Sequence, residues 1–484
     1  MAIKCGKIKK EKDYSQEKKF SVPLIVVITA LICQNTAKAQ TLYSLTRIFL
    51  DIQKQNQFED LAEVKERLFL ESKYTKDKYS ILFSGKIDLN YFYGGFPRFQ
   101  GIFDLHEIYL STSFKNAGIS FGRKIVSLGI VDNSPYDVIN RPDFREGFFN
   151  LTDPNFLKTP GIILDSIMFI GNSTLRIIYE PFFTPPLFYD IKSDWAIMSW
   201  NFLNNAFEGD KNSEQLKNVL DGQFSPVVKN YPSRIEDALK SFGLGLYFSS
   251  KYENLQLALI GYTGYSIFPM PFFDSLFLQE LERMPGTPEE KLSNISAAEI
   301  LEPASRGESF LKLEPRRYHI IGGGWSYEIA NFLIKNDLAM YLMADLPDEN
   351  LKIREFSLLS FALDAEREII PNLLLIPSIR GIINFSPQNI IVVKKGNIFP
   401  SISIRYEFYI KNYSFSFTAN LSSDVPLEIP LSVRSFFSFM SAVWKPTDLI
   451  EVSGGAIILS GKDISVFGFF KNNSAIFISS KIFF

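Results

Sequence analysis

Cysteine is nearly absent: the 484 residues hold only Cys5 and Cys33, both close to the N-terminus. If that end is removed, disulfides, zinc–thiolate centres and cysteine nucleophiles are excluded. Histidine is as scarce, with only His106 and His319, about 210 residues apart. That leaves little for a dedicated transition-metal site or for acid–base catalysis. Neither sign of charge dominates, 51 basic against 53 acidic residues, so no nucleic-acid partner is implied. Beyond the N-terminus no run of 18 apolar residues occurs. If the chain enters a membrane, it must do so as strands. What abounds is phenylalanine, 46 residues, with aromatics at 15%. A soluble core of that size would be exceptional, whereas a membrane barrel has an apolar outer face flanked by aromatic girdles.

The N-terminus reads as a signal peptide. Seven lysines against three acids in residues 1–19 precede the apolar run Phe20 to Cys33 (FSVPLIVVITALIC). Ala37 and Ala39 then supply an A-x-A cleavage site, and cleavage is expected after Ala39. Removal takes away eight lysines and three acids, leaving 43 basic and 50 acidic residues. Two alternatives are an uncleaved anchor and lipidation at Cys33; Leu31 and Ile32 stand where a lipoprotein signal wants small residues. No cofactor is expected.

From there the pattern is one of alternation, the two-residue period of strands with two unlike faces. Residues 81–91 set Ile81, Phe83, Ile87, Leu89 and Tyr91 against Ser84, Lys86, Asp88 and Asn90. Residues 401–410 set Ile402, Ile404, Tyr406, Phe408 and Ile410 against Ser401, Ser403, Arg405, Glu407 and Tyr409. Residues 413–421 and the last strand, ending in Ile482 and Phe484, behave likewise. Weaker alternation recurs at about 103–114, 117–127, 161–170, 173–181, 242–251, 254–263, 316–328, 331–343, 354–364, 373–385, 431–443, 448–459 and 463–470. These make 17 candidates, and a single-chain bacterial barrel has an even number of strands. The expected fold is therefore all-β, a transmembrane antiparallel barrel of about 16 strands (14–18). Lys115-Asn116, Gly171-Asn172, Lys411-Asn412 and Lys471-Asn472-Asn473 fit hairpin turns. A soluble exported β-sandwich also alternates, but seldom through so many consecutive hairpins.

Three segments break the pattern. Residues 41–75 carry Leu42, Leu45, Ile48 and Phe49, then Leu61, Val64 and Leu68, at three-to-four spacing. This reads as helix, a periplasmic segment or a small plug. The expected organisation is thus a signal peptide at 1–39, a helical segment at 40–77 and a barrel at 78–484. Residues 182–240 form a long insertion with a short helix expected at Ser233–Lys240, and residues 265–308, including TPEEKL and SAAEIL, form another.

Three features together resemble a known group: the signal peptide, the C-terminal Phe484, and the block 108–144 (IYLSTSFKNAGISFGRKIVSLGIVDNSPYDVINRPDF). The block is similar to an uncharacterised porin-like family related to the alginate-export barrels of Gram-negative outer membranes. The match runs over Gly122, Arg123, Ile125, Val126, Gly129, Asp137, Val138, Ile139, Asn140, Pro142 and Asp143. Leu128 stands where that family has Trp, and Arg141 separates Asn140 from Pro142. The resemblance implies an outer-membrane location, lipid and the barrel-assembly machinery as partners, and Phe484 as the assembly signal.

The expected function is diffusion of polar or charged small solutes through a porin-like channel that is not an enzyme; a homo-oligomer is compatible. Such function lives in lumen-facing charge and in loops that narrow the passage. Lys86, Asp88, Arg405 and Glu407 are expected to face the lumen. The loop at about 130–158 carries closely spaced charge and turn-forming Pro135 and Pro142. Arg123, Asp137, Arg141, Asp143 and Arg145 are expected to form a pore constriction. The alternatives are a non-conducting structural or adhesive barrel acting through 182–240 and 265–308, and an outer-membrane enzyme using His106 or His319. The Gly322–Gly324 run lacks the Lys-Ser/Thr of a phosphate loop and reads as a closely packed strand.

Overall fold

The computed structural model describes residues 39–51, 61–92, 98–143, 154–184, 187, 242–266, 270–273, 275–285, 311–314, 316–348, 352–390, 395–410, 413–427, 432–462, 465, 467–468, 471 and 474–484. Both cysteines, the expected signal segment up to residue 38, Arg145, the helix expected at 233–240, and the segments TPEEKL and SAAEIL lie outside them.

Alternating side chains make a sheet with one apolar and one polar face, and closing that sheet buries the polar face inside. The strands are β1 (Ala39–Asp51), β2 (Leu61–Lys76), β3 (Tyr79–Phe92), β4 (Arg98–Ser113), β5 (Ala117–Lys124), β6 (Gly161–Ile170), β7 (Ser173–Glu180), β8 (Gly243–Tyr252) and β9 (Leu255–Tyr265). A separate two-stranded antiparallel sheet pairs β10 (Met270–Phe273) with β11 (Leu311–Glu314), and a short helix α1 (Ser275–Arg283) lies between them in the chain. Then come β12 (Arg317–Ile329), β13 (Phe332–Pro347), β14 (Ile353–Ile370), β15 (Leu373–Asn384), β16 (Gly396–Ile410), β17 (Tyr413–Pro426), β18 (Ser435–Thr447), β19 (Ile450–Gly461) and β20 (Ala475–Phe483). All but β10 and β11 form one 18-stranded sheet. Each strand pairs antiparallel with its chain neighbours, β9 pairs β12, and β1 pairs β20 from Tyr43↔Phe483 to Asp51↔Ala475, closing the barrel.

Two expectations are corrected. The barrel has 18 strands in place of about 16. Within residues 41–75, read as helix, the described 41–51 and 61–75 belong to the strands β1 and β2 of the wall. Of residues 463–470, expected as a strand, only 465, 467 and 468 are described, and Phe467 packs against the cluster of Phe437, Phe439, Ile457, Leu459 and Phe477.

The two ends differ. At one, hairpins turn in two or three residues, as between β2 and β3, β6 and β7, or β8 and β9. Asp77, Gly171, Glu253, Asn331 and Asn372 take the positive φ that such tight turns demand. All connections at the other end are longer, including 125–160 and 181–242. Short periplasmic turns and long extracellular loops are the arrangement of outer-membrane barrels. The outer wall is apolar, with Ile81, Ile87, Phe103, Leu110, Phe121, Leu259 and Ile321 exposed on it. Near the short-turn end it carries aromatic rings, where Phe408 stacks on Phe415 at 5.2 Å and Phe415 on Trp444 at 6.4 Å.

Candidate functional site: a loop inside the barrel

The described residues of the connection from β5 to β6, 125–143 and 154–160, lie inside the lumen. Its side chains Val126, Leu128, Tyr136, Val138 and Ile139 are buried against Ile163 (β6), Ile178 (β7), Ile260 and Tyr262 (β9), Tyr318 and Ile320 (β12) and Ala339 (β13). Along those strands these residues alternate with lipid-facing ones such as Leu164, Ile177, Leu259, Ile321 and Leu338. They therefore point inward, and the loop that covers them fills part of the interior. This apolar contact contributes to its adhesion at about 25 cal/mol per Å² of apolar surface removed from water.

Polar anchors fix its register. Asp337, fully buried on β13, accepts hydrogen bonds from the backbone N–H groups of Ile130 and Val131, both at 2.9 Å, and from the Tyr136 hydroxyl at 2.6 Å. Burial, followed by that bond to a carboxylate, pushes the Tyr136 hydroxyl far above its usual pKa, so it stays a donor. The Tyr341 hydroxyl donates to the Pro135 carbonyl. Arg380 on β15 donates to the Asp132 carbonyl at 2.9 Å and lies 3.5 Å from Asp364. Asn140 braces the base: its Oδ1 accepts from Val126 N at 2.6 Å and its Nδ2 donates to the carbonyls of Lys124 and Thr159, both at 3.1 Å.

Glycines make the anchors fit. Gly129 has φ +116°, a region L side chains rarely adopt, and a Cβ there would lie 2.2 Å from Ser134 Cβ. In the Gly322–Gly324 run, a Cβ on Gly322 would press Tyr136 at 3.2 Å and one on Gly324 would collide with Asp337 at 1.8 Å.

The structure separates the expected constriction residues. Arg141 is buried and forks onto both Glu180 oxygens at 2.8 Å, with its guanidinium 4.7 Å from the Phe183 ring centre. Asp143 is also buried, 3.7 Å from Lys86. Asp137 pairs with Lys158; burial raises its pKa, and the Lys158 charge opposes that rise without cancelling it. Arg123 sits at the end of β5, 3.2 Å from Asp104 and donating to the His106 carbonyl at 3.1 Å. Arg123 and Asp104 border a cavity of about 270 Å³. Arg145 lies outside the described residues.

Lys86 and Asp88 occupy the polar face of β3 but are covered. Asp88 binds Arg67 in two-point fashion at 2.6 and 2.7 Å, with Lys65 at 3.8 Å. Phe156 lies over this cluster, its ring centre 4.6 Å from the Arg67 guanidinium. Arg405 and Glu407 are different, because both are exposed. They belong to a run of paired polar positions on β16 and β17: Ser401↔Ser422, Ser403↔Asn420, Arg405↔Thr418 and Glu407↔Ser416. The other face of the same two strands pairs Ile402↔Leu421, Ile404↔Ala419, Tyr406↔Phe417 and Phe408↔Phe415. At the loop tip Asp132 and Asn133 are exposed too, Asn133 at φ 55°.

His106 and His319 are far apart in role as well as in sequence. His106 is buried beside Phe156, ring centres 5.2 Å apart. His319 alternates with buried Tyr318 and Ile320 and so faces outward. Sequence reading had no reason to single out Arg380; the available signal was a lone cation inside the apolar run LLLIPSIRGIIN.

A closed antiparallel barrel with an apolar exterior, a polar interior, short turns at one end and a loop folded within is an outer-membrane barrel of the kind wide enough to hold water. No family model and no curated protein matches the chain. Among solved structures it is similar to OccK5 (OpdH) of Pseudomonas aeruginosa, at 8% identity over 92% of this chain and 96% of that one, with a TM-score of 0.46. A BenF-like porin from Pseudomonas fluorescens is similar at 9% identity, 92% and 96% coverage and a TM-score of 0.45. The outer membrane channel DcaP of Acinetobacter baumannii is similar at 10% identity, 92% and 95% coverage and a TM-score of 0.37. The relation to alginate-export barrels expected from residues 108–144 has no support in these comparisons.

Proposed function

We propose that this protein is an outer-membrane diffusion channel for small polar or charged solutes, narrowed by its β5–β6 loop. The observation that carries this reading is the contrast around the lumen. One part of the inner wall holds the docked loop, whereas β16 and β17 present hydroxyls, an amide and the exposed Arg405 and Glu407. Eighteen strands enclose more than side chains alone can fill, so a loop on one side leaves an aqueous passage along the other.

Within this passage the charged residues divide. Arg141 and Asp143 act on the solute indirectly, by holding the loop to Glu180 and Lys86 of the wall, and Asp137 is paired within the loop to Lys158. Asp132, Asn133 and Arg380 at the loop tip, with Arg405 and Glu407 on the wall, meet the solute directly. Export by residues 1–39, cleavage after Ala39 and delivery to the barrel-assembly machinery through Phe484 belong to the same proposal.

The test is conductance across a planar bilayer after refolding in detergent. Repeated, stable steps support the channel. Heat-modifiable migration on a gel without any conductance sinks it and leaves the barrel that acts through loops 182–240 and 265–308.

A further inference from the structure

Along β12 the chemistry of the outer wall changes. On β12 the outward positions Ile321, Trp325, Tyr327 and Ile329 are apolar and exposed, as lipid contact requires. Continuing the same face towards the long-loop end gives His319 and then Arg317. The neighbouring strands change with it. β9 ends in Tyr265, and a bulge in β13 between Tyr341 and Ala344, with Met343 at φ 57°, is followed by Asp345, which pairs with exposed Glu355 of β14. Bulges re-aim side chains in this way at sheet rims.

Tyr265, Arg316, Arg317, His319, Met343, Asp345 and Glu355 together line a cleft of about 360 Å³. That volume falls among small-ligand clefts, which run from roughly 300 to 1,000 Å³. The cleft has two unlike edges. Arg316, Arg317 and His319 on the β12 side are basic; Asp345 and Glu355 on the β13–β14 side are acidic. Arg316 and Asp345 reach towards each other at 3.7 Å. Arg317 is held by rings rather than by an acid: its guanidinium lies 4.7 Å from the Phe242 ring centre and 5.3 Å from that of Tyr265, and it donates to the Phe242 carbonyl. Among the described residues neither Arg317 nor His319 has a carboxylate partner, and Glu355 has no cationic one.

We infer that this cleft binds a lipid headgroup in which a phosphate and a primary ammonium group stand close together, that is, a phosphoethanolamine unit. Arg317 and His319 receive the phosphate; Asp345 and Glu355 receive the ammonium. Basic clefts at the membrane surface attract phosphate headgroups in general, and the acidic edge adds the demand for a hydrogen-bonding cation. The unit occurs on glycerophospholipids and can decorate phosphorylated glycolipids, so the chemistry is the inference and the carrier is an arm of the test. The proposal rests on the outer-membrane reading and not on conduction.

The experiment is native mass spectrometry of the refolded full barrel from detergent containing equal amounts of phosphatidylethanolamine, phosphatidylglycerol and phosphatidylcholine. A second mixture holds lipid A with and without phosphoethanolamine. The expected result is several-fold preferential retention of the phosphoethanolamine-bearing lipid in one or both mixtures. Arg317→Ala should abolish that retention. Glu355→Gln, at an exposed and unpaired position, should keep phosphate binding but remove the preference over phosphatidylglycerol. Equal retention of all lipids, or a preference unchanged in both variants, overturns the proposal. Planar-bilayer conductance of Arg317→Ala should match the parent; its loss, with conductance retained in Glu355→Gln, means the cleft is part of the pore and overturns the lipid assignment.

Discussion

The carboxylate of Asp337 occupies the space that a side chain at Gly324 would need: the two residues face each other across β12 and β13, and a Cβ on Gly324 would stand 1.8 Å from Asp337 Oδ1. Gly324→Ala should therefore dislodge the anchor of a loop two hundred residues away in sequence. The expected outcome is a barrel that still shows heat-modifiable migration but passes a larger and noisier current. An unchanged current would separate Asp337 from control of the passage.

Tyr136→Phe is the gentler version. It removes one of the three donors to Asp337 and leaves the ring packed. A hydrogen bond to a charged group contributes about 1.5–3 kcal/mol, and loop docking should weaken by that order. Protease cleavage near the exposed Asp132-Asn133 tip measures it, with faster cutting than in the parent.

Arg141→Ala leaves Glu180 buried without its cation, an arrangement that costs about 3–5 kcal/mol. The expected readout is a lowered melting temperature of the folded barrel. Replacing both, as Arg141→Met with Glu180→Leu, should recover most of the loss, because a pair removed together leaves no orphaned charge. No recovery would mean that Arg141 acts through the Phe183 ring and through the Tyr262 hydroxyl, to which it donates at 3.5 Å, rather than through Glu180.

Charge reversal should affect current differently at exposed and buried sites. Arg380→Glu places a negative charge beside the loop tip and should shift ion preference towards cations, read as a change in reversal potential under a salt gradient. Substituting Arg141 should change stability more than selectivity. The opposite ranking would put the narrow part of the passage next to Arg141.

Asp137 gives a sign for pH. Its pKa is raised on docking, by burial, so the docked loop binds a proton more readily than the free one. The contribution to docking is fully present below the ordinary aspartate pKa and is lost as pH rises through the raised value. Conductance should fall on acidification across that window, and Asp137→Asn should flatten the dependence.

Much of this was legible because period-two alternation survives wherever the two faces differ. The inner and outer lists for β3, β16 and β17 can be read directly from residues 81–91 and 401–421. It failed at β1 and β2 for a physical reason. Leu42, Tyr43 and Leu45 are all buried, which erases the contrast between faces. On β2, Val64 and Leu68 are four apart, and positions four apart share a face in a helix and in a strand alike. Glu63, Lys65 and Arg67 looked like the solvated side of a helix, yet are buried in the barrel. The loop was recognisable from its charge and prolines. The use of those charges was not, since burial depends on Asp337, Glu180 and Phe156, which the sequence places far from one another or in no evident relation.

The seam between β1 and β20 has a consequence for time rather than for space. Tyr43 meets Phe483, and the Phe484 N–H donates to the Leu42 carbonyl at 2.9 Å. β1 thus finds one of its two neighbours only in β20, more than four hundred residues further along the chain. Until then its edge offers a row of unsatisfied amides to any other strand it meets. Contacts so distant along the chain are slow to form. Assembly must therefore keep one edge waiting for almost the whole chain, and an interrupted chain leaves that edge open.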